Sequence, residues 1–153
     1  MKVCIDPGHG RSNRKTGVLD PGAVSNGVAE KDIVLLWALT LKYYLTKAGI
    51  PVFLTRTNDT DDAPVSTRDD RAEAEDCTHF ISLHCNAGES RATGTETYYR
   101  DSADKNFASL VQKCALETLE LRDRGLKTEH DSQHSRLAIF DFDGAACLLE
   151  LGF

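Results

Sequence analysis

Apolar and polar positions follow one another along this chain in blocks that predict strands and amphipathic helices in turn. Short apolar or alternating runs predict strands at residues 3–5, 51–55, 80–83, 95–99, 137–140 and 146–149. The run at 95–99 alternates and is rich in β-formers, so we expect it at an edge of the sheet.

Apolar residues at helical spacing predict the helices. One helix should run from Glu30 to Lys47 and end before Gly49, as helices commonly do. Its expected apolar face consists of Val34, Trp37, Leu41, Tyr44 and Ala48. Ser66 is a plausible N-cap for a second helix through Asp76. Ser102 should cap a third, which carries Phe107, Leu110, Val111, Cys114 and Ala115 on one face.

Strands that alternate with amphipathic helices indicate a layered α/β domain. We therefore expect one domain over residues 1–153, with a twisted, mostly parallel mixed sheet of about six strands flanked by helices. Residues 11–27 are rich in Gly, Ser, Asn and Pro and show no period, so they predict a long ordered loop. Loops of this length in compact domains are usually functional.

Composition and charge exclude several classes of protein. The 153 residues are 41% apolar and 27% charged, which is ordinary for a soluble globular domain. Proteins that bind nucleic acid normally carry a basic surface patch, so the formal net charge of −6 argues against a nucleic-acid partner. The apolar stretch at residues 33–41 is too short to span a bilayer, so we expect no membrane insertion. We also expect a monomer.

The five cysteines are odd in number and form no C-x-x-C pair. Four of them lie within or beside apolar segments. Free, partly buried thiols in a reducing compartment are therefore favoured over a disulfide or a cysteine-ligated metal.

Four polar residues occupy the ends of predicted elements. His9 follows the first strand, Glu30 opens the first helix, His84 closes the strand at 80–83 and Glu150 closes the last strand. In open α/β sheets, ligands gather beyond the carboxyl ends of the strands, so these residues can form one composite site. Two imidazoles and a carboxylate can hold a catalytic Zn²⁺, and a second carboxylate can act as the base.

Each of these residues also has a structural explanation when it is taken alone. His9 could hydrogen-bond within a tight turn, Glu30 could favour the helix dipole, and His84 could be a satisfied core histidine. Glu150 is the hardest to explain as structure, because an unpaired buried carboxylate is costly. Gly8 and Gly10 do not belong to a G-x-G-x-x-G pattern, so they give little support to a nucleotide-binding loop.

Two charged segments allow two interpretations each. Arg11, Arg14 and Lys15 can be a solvated loop or a rim that contacts an anionic substrate. The acidic run at residues 59–62 can be a solvated loop or a regulatory contact. In both cases the solvated loop is the simpler interpretation.

An ordered series of motifs resembles the zinc-dependent N-acetylmuramoyl-L-alanine amidases of bacterial autolysins and phage endolysins. The motifs are IDPGHG at 5–10, DPGA at 20–23, EK at 30–31, GIPV at 49–52, TR at 55–56, Arg68, FISLHCNA at 80–87, GTE at 94–96 and LLELGF at 148–153. The resemblance implies that His9, Glu30 and His84 hold one zinc ion and that Glu150 is the catalytic carboxylate. It also suggests Asn86 as a substrate contact.

The implied activity is hydrolysis of the amide between N-acetylmuramic acid and L-alanine in peptidoglycan. Two alternatives remain: a zinc peptidase that acts on the stem peptides, and a catalytically silent wall-binding module. The sequence has no H-E-x-x-H motif that would support the peptidase. A silent module would be expected to have lost a ligand or the catalytic carboxylate, and all four site residues are present.

The resemblance also sets expectations about the ends of the chain and its location. Members of the family usually continue past Gly-Phe into a final helix, so we expect residues 1–153 to be a catalytic domain without that helix and without a wall-binding domain. No signal peptide is visible at the N-terminus. We therefore expect synthesis in the cytoplasm and action on the cell wall, either by release as a phage lysin or after removal of a signal.

Overall fold

The computed structural model describes residues 1–89 and 91–153. Its strands are β1 (Val3–Pro7), β2 (Gly10–Arg11), β3 (Leu19–Asp20), β4 (Val24–Ser25), β5 (Val28–Ala29), β6 (Val52–Leu54), β7 (His79–His84), β8 (Thr95–Tyr99), β9 (Asp123–Thr128) and β10 (Ala145–Glu150). Its α-helices are α1 (Glu30–Lys47), α2 (Arg68–Ala74) and α3 (Ser102–Leu119). Short 3₁₀ turns occur at Val65–Thr67, Glu129–Asp131 and Ala138–Asp141.

Six strands form the central sheet in the order β6-β1-β7-β10-β8-β9. The first four run parallel, β8 is antiparallel to β10, and β9 is parallel to β8. This arrangement confirms the α/β fold class with a mostly parallel, mixed sheet. The carboxyl ends of β1, β7 and β10 therefore meet at one edge of the sheet, which is where ligands bind in open α/β folds.

Alternate residues of the strands feed two apolar cores, one on each face of the sheet. Val3 and Ile5 of β1 pack with α1 and α3, whereas Cys4 faces α2 and the 3₁₀ turn at Ala138–Asp141. The parallel strands are buried on both faces, which explains why they are nearly continuous apolar runs. The two cores thus hold the sheet between packed helices and turns on both of its faces.

Helix α1 packs on the sheet through a stripe that only partly matches the expected face. Val34 and Ala38 are fully buried, and Leu41 is partly buried against the same core. Trp37 and Tyr44 lie outside the stripe, with exposed fractions of 38% and 65%. The predicted face was wrong for these two, because aromatic residues at helical spacing did not reveal which side faces the sheet, and also for Ala48, which is exposed beyond the end of the helix.

Two strand predictions were wrong. Residues 137–140 do not form a strand; Ile139 and Phe140 are buried within the 3₁₀ turn instead. The outer strand is β9, whose sequence DRGLKT has one large apolar residue and therefore gives no apolar alternation. We expected β8 at an edge of the sheet, but β9 pairs with its outer side, so β8 is an internal strand.

Helix ends and loops differ from expectation in smaller ways. A 3₁₀ turn precedes α2, which ends at Ala74 rather than Asp76. The cap of α3 is Asp101, whose Oδ1 accepts hydrogen bonds from the amides of Ala103 and Asp104. On α3, Leu110 and Cys114 are exposed rather than part of the buried face.

Residues 11–27 form an ordered loop that contains two short antiparallel ladders, β2–β3 and β4–β5. All five cysteines are free, as expected. Within the part of the chain that the structure describes, no helix is long and apolar enough to cross a membrane.

Candidate metal centre and active site

The four residues singled out from the sequence lie at one edge of the sheet. His9 stands two residues beyond β1, in a turn where it adopts a positive φ of 62°. Glu30 is the first residue of α1, which the ladder β4–β5 delivers to this edge. His84 and Glu150 are the last residues of β7 and β10.

His9, Glu30 and His84 form a compact cluster of potential ligands. One ligand atom from each lies within 4.8 Å of the others. His9 Nε2 is 3.0 Å from Glu30 Oε2, and His84 Nδ1 is 3.1 Å from Glu30 Oε1. Ligands at ~2.0–2.1 Å from a tetrahedral zinc ion stand roughly 3.3 Å apart, which is close to the two separations between Glu30 and the imidazoles, and two imidazoles with a carboxylate are donors that zinc binds.

The Glu30 carboxylate is held by the backbone as well as by the imidazoles. Its Oε2 accepts a hydrogen bond from the Ala23 amide, and its Oε1 accepts one from the Cys85 amide. Burial would raise the pKa of Glu30, but the hydrogen bonds and charges of His84 and His9 hold it well below its usual range. Glu30 is therefore ionised and fixed in orientation, as a metal ligand must be.

Two glycines provide the space in which the ligands meet. A Cβ on Gly22 would lie 2.5 Å from Glu30 Oε2, and the residue adopts a φ of +66°. A Cβ on Gly8 would collide with the imidazole ring of His84. Both positions therefore require glycine if the cluster is to keep its geometry.

Asp20 is a further site residue, and sequence reasoning gave it no role although it lies in the DPGA motif. Its Oδ2 is 3.2 Å from His9 Nδ1, off the line of a well-formed hydrogen bond, and accepts a hydrogen bond from Asn13. Burial lowers the pKa of His9, but Glu30 and Asp20 outweigh it and raise the pKa overall. A carboxylate behind a metal-ligating imidazole commonly sets its orientation.

Two buried arginines fix the turn that carries His9. Arg56 donates hydrogen bonds to the carbonyls of Pro7 and Gly8. Arg68 donates to the carbonyl of His9, and its other arm pairs with the buried Asp6 at 2.8 Å. These two side chains therefore provide the hydrogen-bond donors for the carbonyl groups of the turn. Their hydrogen bonds hold His9 in its left-handed conformation.

Glu150 lies beside the cluster as an incompletely satisfied carboxylate. Its register partner on β7 is His84. Its Oε2 is shielded from solvent and has no hydrogen-bond partner among the described residues. Burial raises the pKa of Glu150 to about 7, with Glu30 and Glu96 adding to the effect and His84 opposing it. A carboxylate in this state is suited to accept and return a proton near neutral pH.

Asn86 is held at the wall of the site by Glu96. Asn86 Nδ2 donates to Glu96 Oε1 at 2.9 Å, and Asn86 Oδ1 accepts from the Ala87 amide. The carboxylate of the buried Glu96 also accepts hydrogen bonds from the side chains of Tyr98, Arg124 and Lys127. Glu96 is the register partner of Glu150 on the neighbouring strand, so this network borders the candidate base.

The four residues open into a cavity of about 560 Å³. One wall is formed by the strand ends and Asn86, and another by residues 132–134 and 136–139, which follow β9. Arg100 fixes that second wall by pairing with Glu129, whose Oε2 also accepts the Leu137 amide. This wall was not predicted from the sequence, because residues 137–140 were interpreted as a strand and residues 132–136 were given no role.

Salt bridges within the chain involve part of the acidic run at residues 59–62 and one residue of the basic cluster formed by Arg11, Arg14 and Lys15. Asp59 pairs with Lys31 at 2.5 Å, and Asp62 pairs with Arg11 at 2.9 Å. These contacts give the acidic run a structural role in fastening the loop. Arg14, in contrast, lines the cavity.

Two imidazoles and a carboxylate that can hold a metal, with a second carboxylate beside them, are the site features of metal-dependent hydrolases. The comparison with known proteins specifies the class further. This chain belongs to the Amidase_3 family, described as N-acetylmuramoyl-L-alanine amidase, whose family model matches residues 3–153.

Relatives and solved structures agree with this membership. The sporulation-specific N-acetylmuramoyl-L-alanine amidase of Bacillus subtilis (strain 168) is 35% identical over 133 residues, covering 84% of this chain and 48% of that protein. The catalytic domain of CwlV, an N-acetylmuramoyl-L-alanine amidase from Bacillus (Paenibacillus) polymyxa var. colistinus, has a TM-score of 0.83 at 36% identity and covers 99% of this chain and 80% of that one. AmiC2 of Nostoc punctiforme has a TM-score of 0.85 at 27% identity, with coverage of 100% and 79%.

The curated relatives are longer than this chain. It spans 48% of the B. subtilis sporulation-specific amidase and 25% of the B. subtilis amidase LytC. The matched region contains all four candidate site residues.

Proposed function

We propose that this chain is a catalytic domain that hydrolyses the amide bond between N-acetylmuramic acid and L-alanine in peptidoglycan. The observation that carries the proposal is the pairing of the His9–Glu30–His84 cluster with the unsatisfied Glu150 carboxylate in one cavity. The amidase names of its relatives supply the substrate class. Residues 1–153 are assigned to this domain as a whole.

The cluster of two imidazoles and a carboxylate would bind the metal. His9, Glu30 and His84 would hold one zinc ion, because three protein ligands leave one position open in a catalytic site. Zinc in such a site supplies Lewis acidity toward a carbonyl oxygen and toward water. Asp20, Gly22 and the amides of Ala23 and Cys85 would keep the ligand side chains in place without binding the metal themselves.

Glu150 would carry the proton during hydrolysis. Glu150 Oε2 has no internal partner among the described residues, so a water molecule or the substrate can occupy its free acceptor position. We assign Glu150 the role of general base toward water and general acid toward the leaving amine of L-alanine. Its raised pKa, about 7, allows both roles near neutral pH.

Asn86 would help to place the substrate. Asn86 lines the cavity with a side chain whose orientation Glu96 fixes. Each of its polar groups retains bonding capacity, because the amide nitrogen carries two hydrogens and the oxygen two lone pairs. We assign Asn86 a hydrogen bond to the amide or acetamido groups of the substrate.

The proposal extends to partners and location. The substrate is the cell wall, in keeping with the names of relatives such as the probable cell wall amidase LytH of Staphylococcus aureus, which is 32% identical over 155 residues. The net charge of −6 disfavours nucleic acid, and we propose that the chain acts as a monomer. Light scattering on the purified protein would measure the mass directly.

The decisive experiment is digestion of purified peptidoglycan by the zinc-loaded chain, followed by mass spectrometry of the products. The proposal expects intact stem peptides that begin with L-alanine, together with muramic acid ends that have lost their peptide. Peptides cleaved at internal bonds would identify a stem-peptide peptidase instead. Stoichiometric zinc and wall binding without any product would identify a silent module.

A further inference from the structure

The cavity contains a cation that the proposed chemistry does not use. Three cationic side chains line it: Arg14, Arg68 and Arg136. Arg68 pairs with the buried Asp6, and Arg136 pairs with Asp141 through one nitrogen at 2.7 and 2.9 Å. Arg14 differs from both, because no carboxylate of the described residues lies within ion-pair distance of its guanidinium.

The contact that Arg14 does make points to an anion. Its Nη2 lies 3.2 Å from Nε2 of His134, which also lines the cavity. A guanidinium has no acceptor, so Arg14 donates and His134 Nε2 accepts, which leaves the remaining guanidinium hydrogens available. Arg14 and His134, from separate loops, thus meet in the cavity, and among the described residues neither forms an ion pair with a carboxylate.

The loop that carries Arg14 is fixed relative to the metal cluster. The neighbouring Asn13 is buried and donates to Asp20 Oδ2 at 2.6 Å, while its Oδ1 accepts from Arg68 at 2.9 Å. Asp20 in turn lies 3.2 Å from His9. The backbone of Arg14 is therefore connected to the ligand His9 through two consecutive buried or half-buried contacts, and it is not part of a freely moving loop.

We propose that Arg14, supported by His134, forms a carboxylate-binding subsite for the peptide part of the substrate. This inference rests on the proposed function, since stem peptides carry free carboxylates close to the bond that the amidase would cleave. A guanidinium binds a carboxylate through paired, charge-assisted hydrogen bonds, which are stronger than neutral ones. The subsite would therefore select stem peptides whose residue after L-alanine is a free acid over those in which that group is amidated.

The test uses two synthetic N-acetylmuramoyl peptides that differ in one group. The residue after L-alanine carries a free α-carboxylate in one and an α-carboxamide in the other. We expect the zinc-loaded wild-type chain to show a kcat/KM about tenfold higher for the carboxylate, expressed mainly in KM. Arg14→Gln should lower kcat/KM for the carboxylate peptide to about the level of the carboxamide peptide and so remove the preference, and circular dichroism together with zinc content reports correct folding. Arg14→Lys should retain part of the preference.

Lys15→Gln is the matched control, because it removes the same charge from the adjacent position and Lys15 does not line this cavity. The subsite is overturned if the wild type shows no preference, if Arg14→Gln keeps it, or if Lys15→Gln abolishes it equally. Equal cleavage of both peptides by the wild type would reject the subsite alone. Cleavage of neither would reject the proposed function and the subsite with it.

Discussion

His84 and Glu150 occupy the same register position at the carboxyl ends of two adjacent parallel strands. One is a ligand of the candidate metal cluster and the other is the candidate proton carrier, so the sheet itself sets their separation. Parallel pairing between β7 and β10 extends over six residue pairs, from His79 and Ala145 onward. A rigid sheet rather than a loop therefore places the candidate base next to a candidate metal ligand.

This relationship predicts a clean separation between metal binding and catalysis. Glu150→Gln keeps the size of the side chain but removes the proton-accepting carboxylate. We expect it to bind zinc with unchanged stoichiometry and to hydrolyse peptidoglycan at least about 100-fold more slowly. Metal analysis and product release, measured on the same sample, check both halves. Glu117→Gln on the exposed face of α3 is the control, and normal hydrolysis by Glu150→Gln would refute the assigned role.

Metal removal should lower stability by a measurable amount. Ligand binding at 100 times Kd stabilises a folded protein by about 2.7 kcal/mol. For a chain of this length that corresponds to a Tm rise of roughly 5–10 °C. We expect a chelator to remove this increment from the wild type and to have no effect on His84→Ala. His130→Ala, which alters an exposed histidine outside the cavity, should behave as the wild type does.

The general form of the fold could be predicted because its parallel strands are buried on both faces. Runs such as Phe80–Leu83 then stand out in any sequence. Strand β9 could not be found in this way, because an outer strand needs no apolar face and DRGLKT has none. The prediction of a strand at residues 137–140 failed for the opposite reason, because four consecutive apolar residues fit a buried turn as well as a strand.

The candidate ligands could be predicted from the sequence because they lie at the ends of strands and of a helix. The residues that surround and orient them could not be predicted in this way. Asp20 approaches His9 only because the loop between β2 and β3 folds back on itself. Arg68 contacts the His9 carbonyl across 59 residues of sequence. Such long-range contacts leave no local pattern of charge or spacing, and only the folded backbone reveals them.

The buried pair of Asp6 and Arg68 predicts a specific response to acid. Burial would raise the pKa of Asp6, but the charge of Arg68 and hydrogen bonds from Thr55 and Ser82 hold it below its usual 3.8. A carboxyl whose folded pKa is depressed stabilises the protein above its unfolded pKa and loses that contribution as pH falls through the folded value. We therefore expect the free energy of unfolding to fall steeply below about pH 4.

Asp6→Asn tests this assignment. It should cost about 3–5 kcal/mol at pH 7, because it leaves Arg68 buried without a charged partner. It should also flatten the dependence of stability on pH between 7 and 3, measured by urea unfolding. Asp131→Asn, whose carboxylate only caps an exposed turn, is the control. An unchanged acid slope in Asp6→Asn would show that other carboxyls govern acid unfolding.

Gly22 and Gly27 offer a matched test of how the metal cluster is formed. Both adopt a positive φ, of +66° and +79°, so alanine is strained at either position. Only at Gly22 would the added methyl group also collide with Glu30 and His9, whereas Gly27 has open space around it. We expect both variants to lose similar backbone stability, about 1 kcal/mol, but only Gly22→Ala to weaken zinc binding, by tenfold or more. Competition with a fluorescent chelator measures the affinity. Equal zinc affinity in the two variants would mean that the ligands tolerate displacement and that the glycine serves the turn alone.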